Sequence, residues 1–302
     1  YKQVRSDQID ILVDLVGYAG AGREEVFARK AAPIQVIYLG YPNTSGLSRM
    51  DFRITDEWSD PAECTDSRYT ETLLRLPSGF LCYTPSSDAP KISELPAIRE
   101  GKGLRFGSFN SFQKISPRML KIWASILAAV HDSTLFIKAK PLCEKKLCER
   151  VWLAFEAEGI DRARVELSGW KFDVGGHLEN YSQVDIHLDT FPYNGTTTIC
   201  EALWQGVPTI TLAGDTHRSR VGLSILTQVG LADFIASSEQ QYIDLAVHKS
   251  RDLVALAELR RRLRERVNNS PLMDRTRFIS ELEACYEDMY STLPDFESDA
   301  DL

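Results

Sequence analysis

Asp189-Thr190-Phe191-Pro192-Tyr193-Asn194-Gly195-Thr196-Thr197-Thr198-Ile199-Cys200-Glu201-Ala202-Leu203 is the stretch whose reading decides the fold. It reads as the end of a buried strand, a Pro/Asn/Gly turn, and the start of a helix carrying three consecutive threonines. A helix start has unpaired backbone N–H groups and the positive end of the helix dipole. Small hydroxyl residues there leave room for a phosphate and donate to it, so a diphosphate is the first ligand this stretch predicts. Glu201 would then reach a ribose hydroxyl. A second reading uses the same residues differently: Thr198-x-x-Glu201 fits a capping box. Both hold if one threonine caps while the others face a ligand.

Outward from this stretch the chain alternates strand and helix, which makes the fold class α/β. Strand 184–189 precedes it, and strand 208–212 and helix 218–228 follow. Upstream lie strand 104–109, an amphipathic helix opened by the N-cap and N1 pair Ser116-Pro117 and running to about Val130, strand 134–139, helix 144–158, strand 164–168 and a short helix over about 175–182. Downstream, helix 239–267 is long enough to be broken and is strongly charged at Arg260-Arg261-Arg262-Leu263-Arg264; a last helix spans about 274–291. Residues 99–290 thus read as one cleanly alternating α/β lobe.

Residues 1–98 form a thinner α/β lobe. Residues 1–8 read as a helix end, followed by strand 9–15, a helix around 23–30, strands 33–39 and 51–56, and a fourth strand within 75–83. Three or four strands make an incomplete doubly wound sheet, and the chain opens on Tyr1 in what reads as the middle of a fold. A piece of a longer protein is therefore expected. Residues 84–103, rich in Pro, Ser, Asp, Glu and Lys, read as a linker, and 291–302 as an acidic, disordered tail.

Composition bounds the function. The chain has 302 residues, 43% hydrophobic and 26% charged, as expected of a soluble two-domain protein. A net charge of -8 and a pI near 5.3 argue against a nucleic-acid surface. No apolar run reaches the ~18 residues of a membrane span. The six cysteines (64, 82, 143, 148, 200, 285) lack a Cys-x-x-Cys pair and, with five histidines, any zinc spacing, so reduced thiols are expected. There is no Gly-x-Gly-x-x-Gly after a strand and no Walker-type loop, which disfavours dinucleotide oxidoreductases and P-loop enzymes. Asp-x-Asp occurs only as Asp299-Ala300-Asp301 in the tail, so no metal requirement is expected. No internal repeat of 20–50 residues is evident.

Three further constellations carry chemistry. Phe106-Gly107-Ser108-Phe109-Asn110-Ser111-Phe112-Gln113-Lys114-Ile115-Ser116-Pro117 lies at the carboxyl end of a strand, where open α/β sheets bind ligands. Lys114 can neutralise charge on a leaving diphosphate; by base rate, an exposed loop lysine is commoner. His177 can stack on or hydrogen-bond a nucleotide, or be a half-exposed polar residue, with Tyr181 and Asp185 as packing and strand-end residues. The turns Gly17–Gly22 and Gly40–Gly46 sit at strand ends of the first lobe, where glycine allows close approach to a ligand or serves the turn alone.

Pro33 to Gly46, Phe106 to Pro117, His177 to Asp185 and Leu188 to Pro208, in this order, make the chain resemble the catalytic region of the SPINDLY and O-GlcNAc transferase family of nucleocytoplasmic protein glycosyltransferases. The resemblance covers most of residues 9–290, and Phe80 to Pro85 and Phe106 to Asn110 lean toward the SPINDLY branch. It implies a GT-B architecture of two Rossmann-like lobes with the donor between them. It also implies inverting, metal-independent transfer of a sugar to Ser or Thr of proteins in the cytoplasm or nucleus, with no nucleic-acid or membrane partner. Carried over, Lys114 matches the catalytic lysine on the donor diphosphate. Thr196, Thr197 and Thr198 match the phosphate-binding turn, and Gly195 and Ser111 join them as donor-binding residues; Glu201 matches a ribose contact and His177 a histidine near the base. Gly40, Tyr41, Pro42 and Thr44 lie on the sugar and acceptor side, as does Tyr18, where many relatives have His. No general base is identified.

The family's phosphate turn begins with His in O-GlcNAc transferases and with Thr in SPINDLY proteins; Thr196 therefore favours GDP-fucose over UDP-GlcNAc as donor. The start of the N-terminal lobe, its His-bearing loop, and the tetratricopeptide array that recruits substrates and offers a route to homo-oligomers are not in this sequence. Two rivals of other kinds stand beside the enzyme reading: a non-catalytic nucleotide-sugar-binding or scaffold module, and a small-molecule or lipid glycosyltransferase of the same architecture.

Overall fold

The computed structural model describes residues 1–20, 22–169 and 174–292. Residues 293–302 of the expected acidic tail lie outside them, as do Ala21 of the first glycine turn and residues 170–173, while Ser291 belongs to the last helix. The chain packs as two compact units, Tyr1–Cys82 with the segment from Asp274 onward, and Tyr83–Met273.

The first unit holds four parallel strands in the order β1 (Ile11–Asp14), β2 (Ile34–Ile37), β3 (Phe52–Thr55) and β4 (Thr72–Arg75). β2 is buried along its whole length, which is why Ile34-Gln35-Val36-Ile37 reads as a continuous run. Gln35 fits that run because its amide is fully used: it donates to the Phe27 and Arg49 carbonyls and accepts from Ala31 N–H. The expected fourth strand within 75–83 is corrected to Thr72–Arg75. Pro77 lacks the N–H that a ladder needs, and the chain turns at Ser78-Gly79 instead, with Gly79 at φ +107°.

The second unit carries six parallel strands: β5 (Arg105–Ser108), β6 (Thr134–Lys138), β7 (Val165–Ser168), β8 (Ile186–Leu188), β9 (Thr209–Leu212) and β10 (Ile235–Ala236). Their order is β10-β9-β8-β5-β6-β7. Counted from β5, that is the 3-2-1-4-5-6 order of doubly wound nucleotide-binding folds. The strand order reverses between β5 and β8, which pair with Phe106 opposite Ile186 and Gly107 opposite His187. Helix Pro117–Ala129 starts as expected: Ser116 Oγ accepts from Met119 N–H, and Met119, Ile122, Trp123 and Ile126 are buried at helical spacing.

One expected break is found, and two boundaries differ from the sequence expectation. The run at 239–267 is two helices, Glu239–Ser250 and Leu253–Asn268, because Asp252 caps the second at Ala255 N–H. The stretch 84–103 is not a free linker: it contains helix Pro96–Glu100, and its backbone is held within the second unit. Buried Arg260 donates to the Ser93, Val184 and Tyr181 carbonyls, and Arg264 to that of Pro90. In the charged run, only Arg261 and Arg262 face solvent. The division therefore falls at Cys82/Tyr83 rather than at 98, and the last helix, Arg275–Ser291, goes with the first unit. There Ser78 N–H and Oγ donate to the two carboxylate oxygens of Glu281 at 3.0 and 2.5 Å.

Candidate functional site

In an open α/β sheet the crevice lies at the carboxyl ends of the strands where the order reverses. Here those ends are Ser108 of β5 and Leu188 of β8, and the two segments that follow them are the ones the sequence singled out.

After β5, Phe109 and Asn110 are buried, and Ser111 starts a 3-10 turn over Phe112–Lys114. After β8 come Asp189 and Thr190, the cis bond Phe191–Pro192, and the turn Tyr193-Asn194-Gly195 into helix Thr197–Trp204. The two segments are tied at three points. Lys114 Nζ donates to the Asn194 carbonyl at 2.7 Å and sits 4.0 Å over the Tyr193 ring. Thr198 Oγ1 donates to Asn110 Oδ1 at 2.8 Å. Asn110 Nδ2 reaches Asp189 Oδ1 at 3.4 Å.

Asp189 is the buried anchor of the turn. Its Oδ1 accepts from Gly195 N–H at 2.7 Å and its Oδ2 from Thr211 Oγ1 at 2.7 Å, while its carbonyl accepts from Tyr242. Burial pushes its carboxyl up to about 6, against the opposing pull of those donors and of Lys114. Burial likewise draws the Lys114 ammonium below the ordinary lysine value, with Asp189 resisting. A Cβ on Gly195 would run into Thr198 Oγ1 and stand 2.7 Å from Asn110 Oδ1. The glycine is thus required by packing rather than by its dihedrals.

The helix that follows is uncapped. Thr196 is its N-cap residue and makes no side-chain capping bond. Among the described residues, the backbone N–H groups of Thr196, Thr197 and Thr198 have no hydrogen-bond partner. The capping-box reading of Thr198-x-x-Glu201 is therefore corrected. Thr198 lies inside the helix, its hydroxyl goes to Asn110, and Glu201 turns to His177 instead, Nε2 to Oε2 at 3.1 Å. Three open N–H groups at a helix start and a half-buried lysine thus lie along the same turn, the donor set that suits an anion.

His177 and Glu201 belong to a cluster that the sequence did not reveal. Lys138 Nζ, at the end of β6 and 2% exposed, lies 2.8 Å from His177 Nδ1. Tyr181 is not simple packing: its fully buried hydroxyl donates to the Thr198 carbonyl at 3.1 Å and approaches Glu201 Oε2 at 3.5 Å. Phe109 stands 4.7 Å from the Tyr181 ring and 6.4 Å from that of His177. Lys138 had a legible signal, a lysine closing the apolar run Leu135-Phe136-Ile137, as did Asp189, an acid closing a buried strand. Asn110 had none. Asp185 is a strand-end residue as expected; its carboxylate accepts from Ala97 and Arg105 N–H.

In the first unit, Tyr18, Gly40, Tyr41, Pro42 and Thr44 come together at the carboxyl ends of β1 and β2. Tyr18 meets Tyr41 edge-on at 5.3 Å between ring centroids and donates to the Ser45 carbonyl. Gly17 lies at φ +52°, and a Cβ there would stand 2.6 Å from that of Tyr41. Pro42 is flanked by the carbonyls of Tyr41 and Asn43, both accepting from buried Arg53 at 2.9 Å. Glu71 clamps the loop, accepting from Thr44 Oγ1 and from Ser45 N–H. Burial alone would raise the Glu71 carboxyl, but these donors outweigh it and hold it below the usual range.

Among the described residues no three His, Cys, Asp or Glu side chains converge as a metal site, and no helix is long and apolar enough to cross a membrane. All six cysteines are free thiols.

The family model described as Glycosyl transferase family 41 matches residues 1–89 and 98–282. The chain belongs to glycosyltransferase family 41. Curated relatives include the "Probable UDP-N-acetylglucosamine--peptide N-acetylglucosaminyltransferase SPINDLY" of Eustoma exaltatum subsp. russellianum and of Arabidopsis thaliana. Each is 44% identical over 95% of this chain. A similarly titled Arabidopsis thaliana protein, SEC, is 32% identical over 96% of it. The chain spans about a third of the length of these relatives, 31%, 31% and 30%. Among solved structures, a mutant of the Thermobaculum terrenum O-GlcNAc transferase superposes with a TM-score of 0.89 at 37% identity, covering 96% of this chain and 54% of that one. A Rickettsia africae glycosyltransferase, at 0.57 and 10% identity, shares the fold alone. The family 41 assignment and these superpositions make the architecture GT-B, as the sequence implied.

Proposed function

We propose that this chain is the catalytic region of a protein O-glycosyltransferase. It takes the sugar of a nucleoside diphosphate donor and transfers it, with inversion and without a metal, to Ser or Thr of intracellular proteins. The observation that carries this is the uncapped start of helix Thr197–Trp204 beside Lys114. Three backbone N–H groups, the helix dipole and one ammonium converge where a leaving diphosphate would gather charge. The Asn194 carbonyl and the Tyr193 ring already hold Lys114 in place, so little reorganisation accompanies the reaction. The acceptor hydroxyl would attack the anomeric carbon in line with the departing diphosphate, and rate would come from positioning and from leaving-group stabilisation. The names of the SPINDLY and SEC relatives, peptide N-acetylglucosaminyltransferases, support transfer to a peptide.

Fucose from GDP-fucose is the donor we favour, on Thr196 at the head of the turn. UDP-GlcNAc is the second reading, favoured by the names of the plant relatives. Calorimetric titration with GDP, GDP-fucose, UDP and UDP-GlcNAc in EDTA separates them. Tighter binding of the guanosine pair supports fucose, and of the uridine pair GlcNAc. Binding lost in EDTA and restored by a divalent cation contradicts metal independence. Binding with no transfer to any peptide acceptor turns the assignment to a nucleotide-sugar-binding module, and transfer only to free sugars or lipids to a small-molecule enzyme.

A further inference from the structure

Lys138, His177 and Glu201 form a line of hydrogen bonds running from the end of β6 to the helix after the phosphate turn. Lys138 Nζ meets His177 Nδ1 at 2.8 Å, and His177 Nε2 meets Glu201 Oε2 at 3.1 Å. The protons in this line can be placed by elimination. A carboxylate only accepts, so His177 Nε2 carries a hydrogen. Nδ1 is then either bare, accepting from a Lys138 ammonium, or protonated and donating to a neutral amine. The first arrangement leaves the charge on the stronger base, the aliphatic amine. Lys138 Nζ also stands 5.8 Å over the Phe109 ring, a setting that favours the cation.

The line has a consequence at its far end. Glu201 Oε2 accepts from His177 and is approached by Tyr181, whereas Glu201 Oε1 has no hydrogen bond among the described residues. The side chain keeps 18% of its surface exposed. One carboxylate oxygen is therefore fixed and the other is held open as an acceptor.

We infer that Lys138 is a positioning residue for the nucleoside end of the donor. Its ammonium locks His177 as the neutral Nε2–H tautomer, His177 pins Glu201, and the free Glu201 oxygen accepts from a ribose hydroxyl. The ribose part rests on the donor site proposed above; the tautomer does not.

Two measurements test it on the full 302-residue chain. The first is a long-range ¹H–¹⁵N spectrum of histidine-labelled wild-type protein, with His177 assigned by its absence in His177→Gln. A bare Nδ1 with a protonated Nε2 is expected; an Nδ1–H tautomer or an imidazolium overturns the inference. The second compares the affinities of GDP and 2′,3′-dideoxy-GDP (or the uridine pair, whichever binds). Wild type should prefer the ribonucleotide by about tenfold, the worth of a hydrogen bond to a charged group. Lys138→Met should lose most of that preference, as should Glu201→Gln, whereas general loosening weakens both ligands alike. A Lys138→Met variant that keeps the full preference overturns the inference. If wild type binds neither pair, the donor-site reading has failed, and the tautomer alone decides the role of Lys138 toward His177. If Lys138→Met does not fold, the wild-type spectrum still decides.

Discussion

Lys114 Nζ donates to the carbonyl oxygen of Asn194 at 2.7 Å, joining two residues 80 positions apart at the point where the strand order of the second unit reverses. The bond places the ammonium next to the turn that leads into the open N–H groups of Thr196, Thr197 and Thr198. A cation already fixed there can meet developing negative charge without waiting for solvent to reorganise.

Replacing Lys114 with alanine should therefore lower transfer on the order of 10²-fold or more. The measurement is single-turnover transfer to an acceptor peptide at saturating donor. A variant that transfers at near-normal rate would remove Lys114 from the mechanism.

Asp189 predicts a pH dependence of stability. Burial raises its carboxyl from the usual carboxylate range to about 6 in the folded protein. Between the unfolded value and 6 the folded state holds a proton that the unfolded state has released. The contribution is thus full at low pH, is lost as pH rises from about 4 to 6, and is flat above that. The loss is on the order of 1 to 3 kcal/mol. Urea midpoints for wild type and Asp189→Asn at pH 4.5 and 7.5 isolate it from other titrating groups. Wild type should lose ground to the variant as pH rises, and a constant difference would sink the assignment.

Glu71 has the opposite sign. Its carboxyl is held low by Thr44 and Ser45, so its contribution is present above the unfolded value and disappears as pH falls through the folded one. Glu71→Ala leaves buried Ser45 N–H unsatisfied and should cost about 1 to 3 kcal/mol. Hydrogen exchange should report the loosening at residues 41–46, and unchanged protection there would contradict the clamp.

Gly195→Ala introduces a methyl where Thr198, Asn110 and Asp189 already meet. Displacing them should cost roughly 1 to 3 kcal/mol and weaken donor binding together with stability. Full donor affinity in a folded Gly195→Ala protein would show that the turn does not contact the diphosphate.

Glu201→Gln separates helix capping from ligand binding. Glu201 caps nothing, so the unfolding free energy should change by less than about 1 kcal/mol, while nucleotide affinity should fall by about tenfold. The reverse pattern, stability lost and affinity kept, would restore the capping reading that the helix start at Thr197 argues against.

The sequence by itself determined the alternation of strands and helices, the start of helix Pro117–Ala129 at Ser116, and the two segments that meet at the candidate site. Those features rest on short-range physics: the period of apolar residues, the donors a helix start leaves open, and the φ that proline fixes. It misplaced β4 and left 84–103 as a linker, because composition does not show that Arg260 turns inward to bind the Ser93 carbonyl 167 residues away. It also assigned Glu201 to either a cap or a ribose. Only the tertiary structure decided that Glu201 pairs with His177 and that Lys138, 39 residues before His177, stands behind it. Such pairings depend on which strands lie side by side. That order is set by burying both faces of the sheet at once, and no local window of residues contains it.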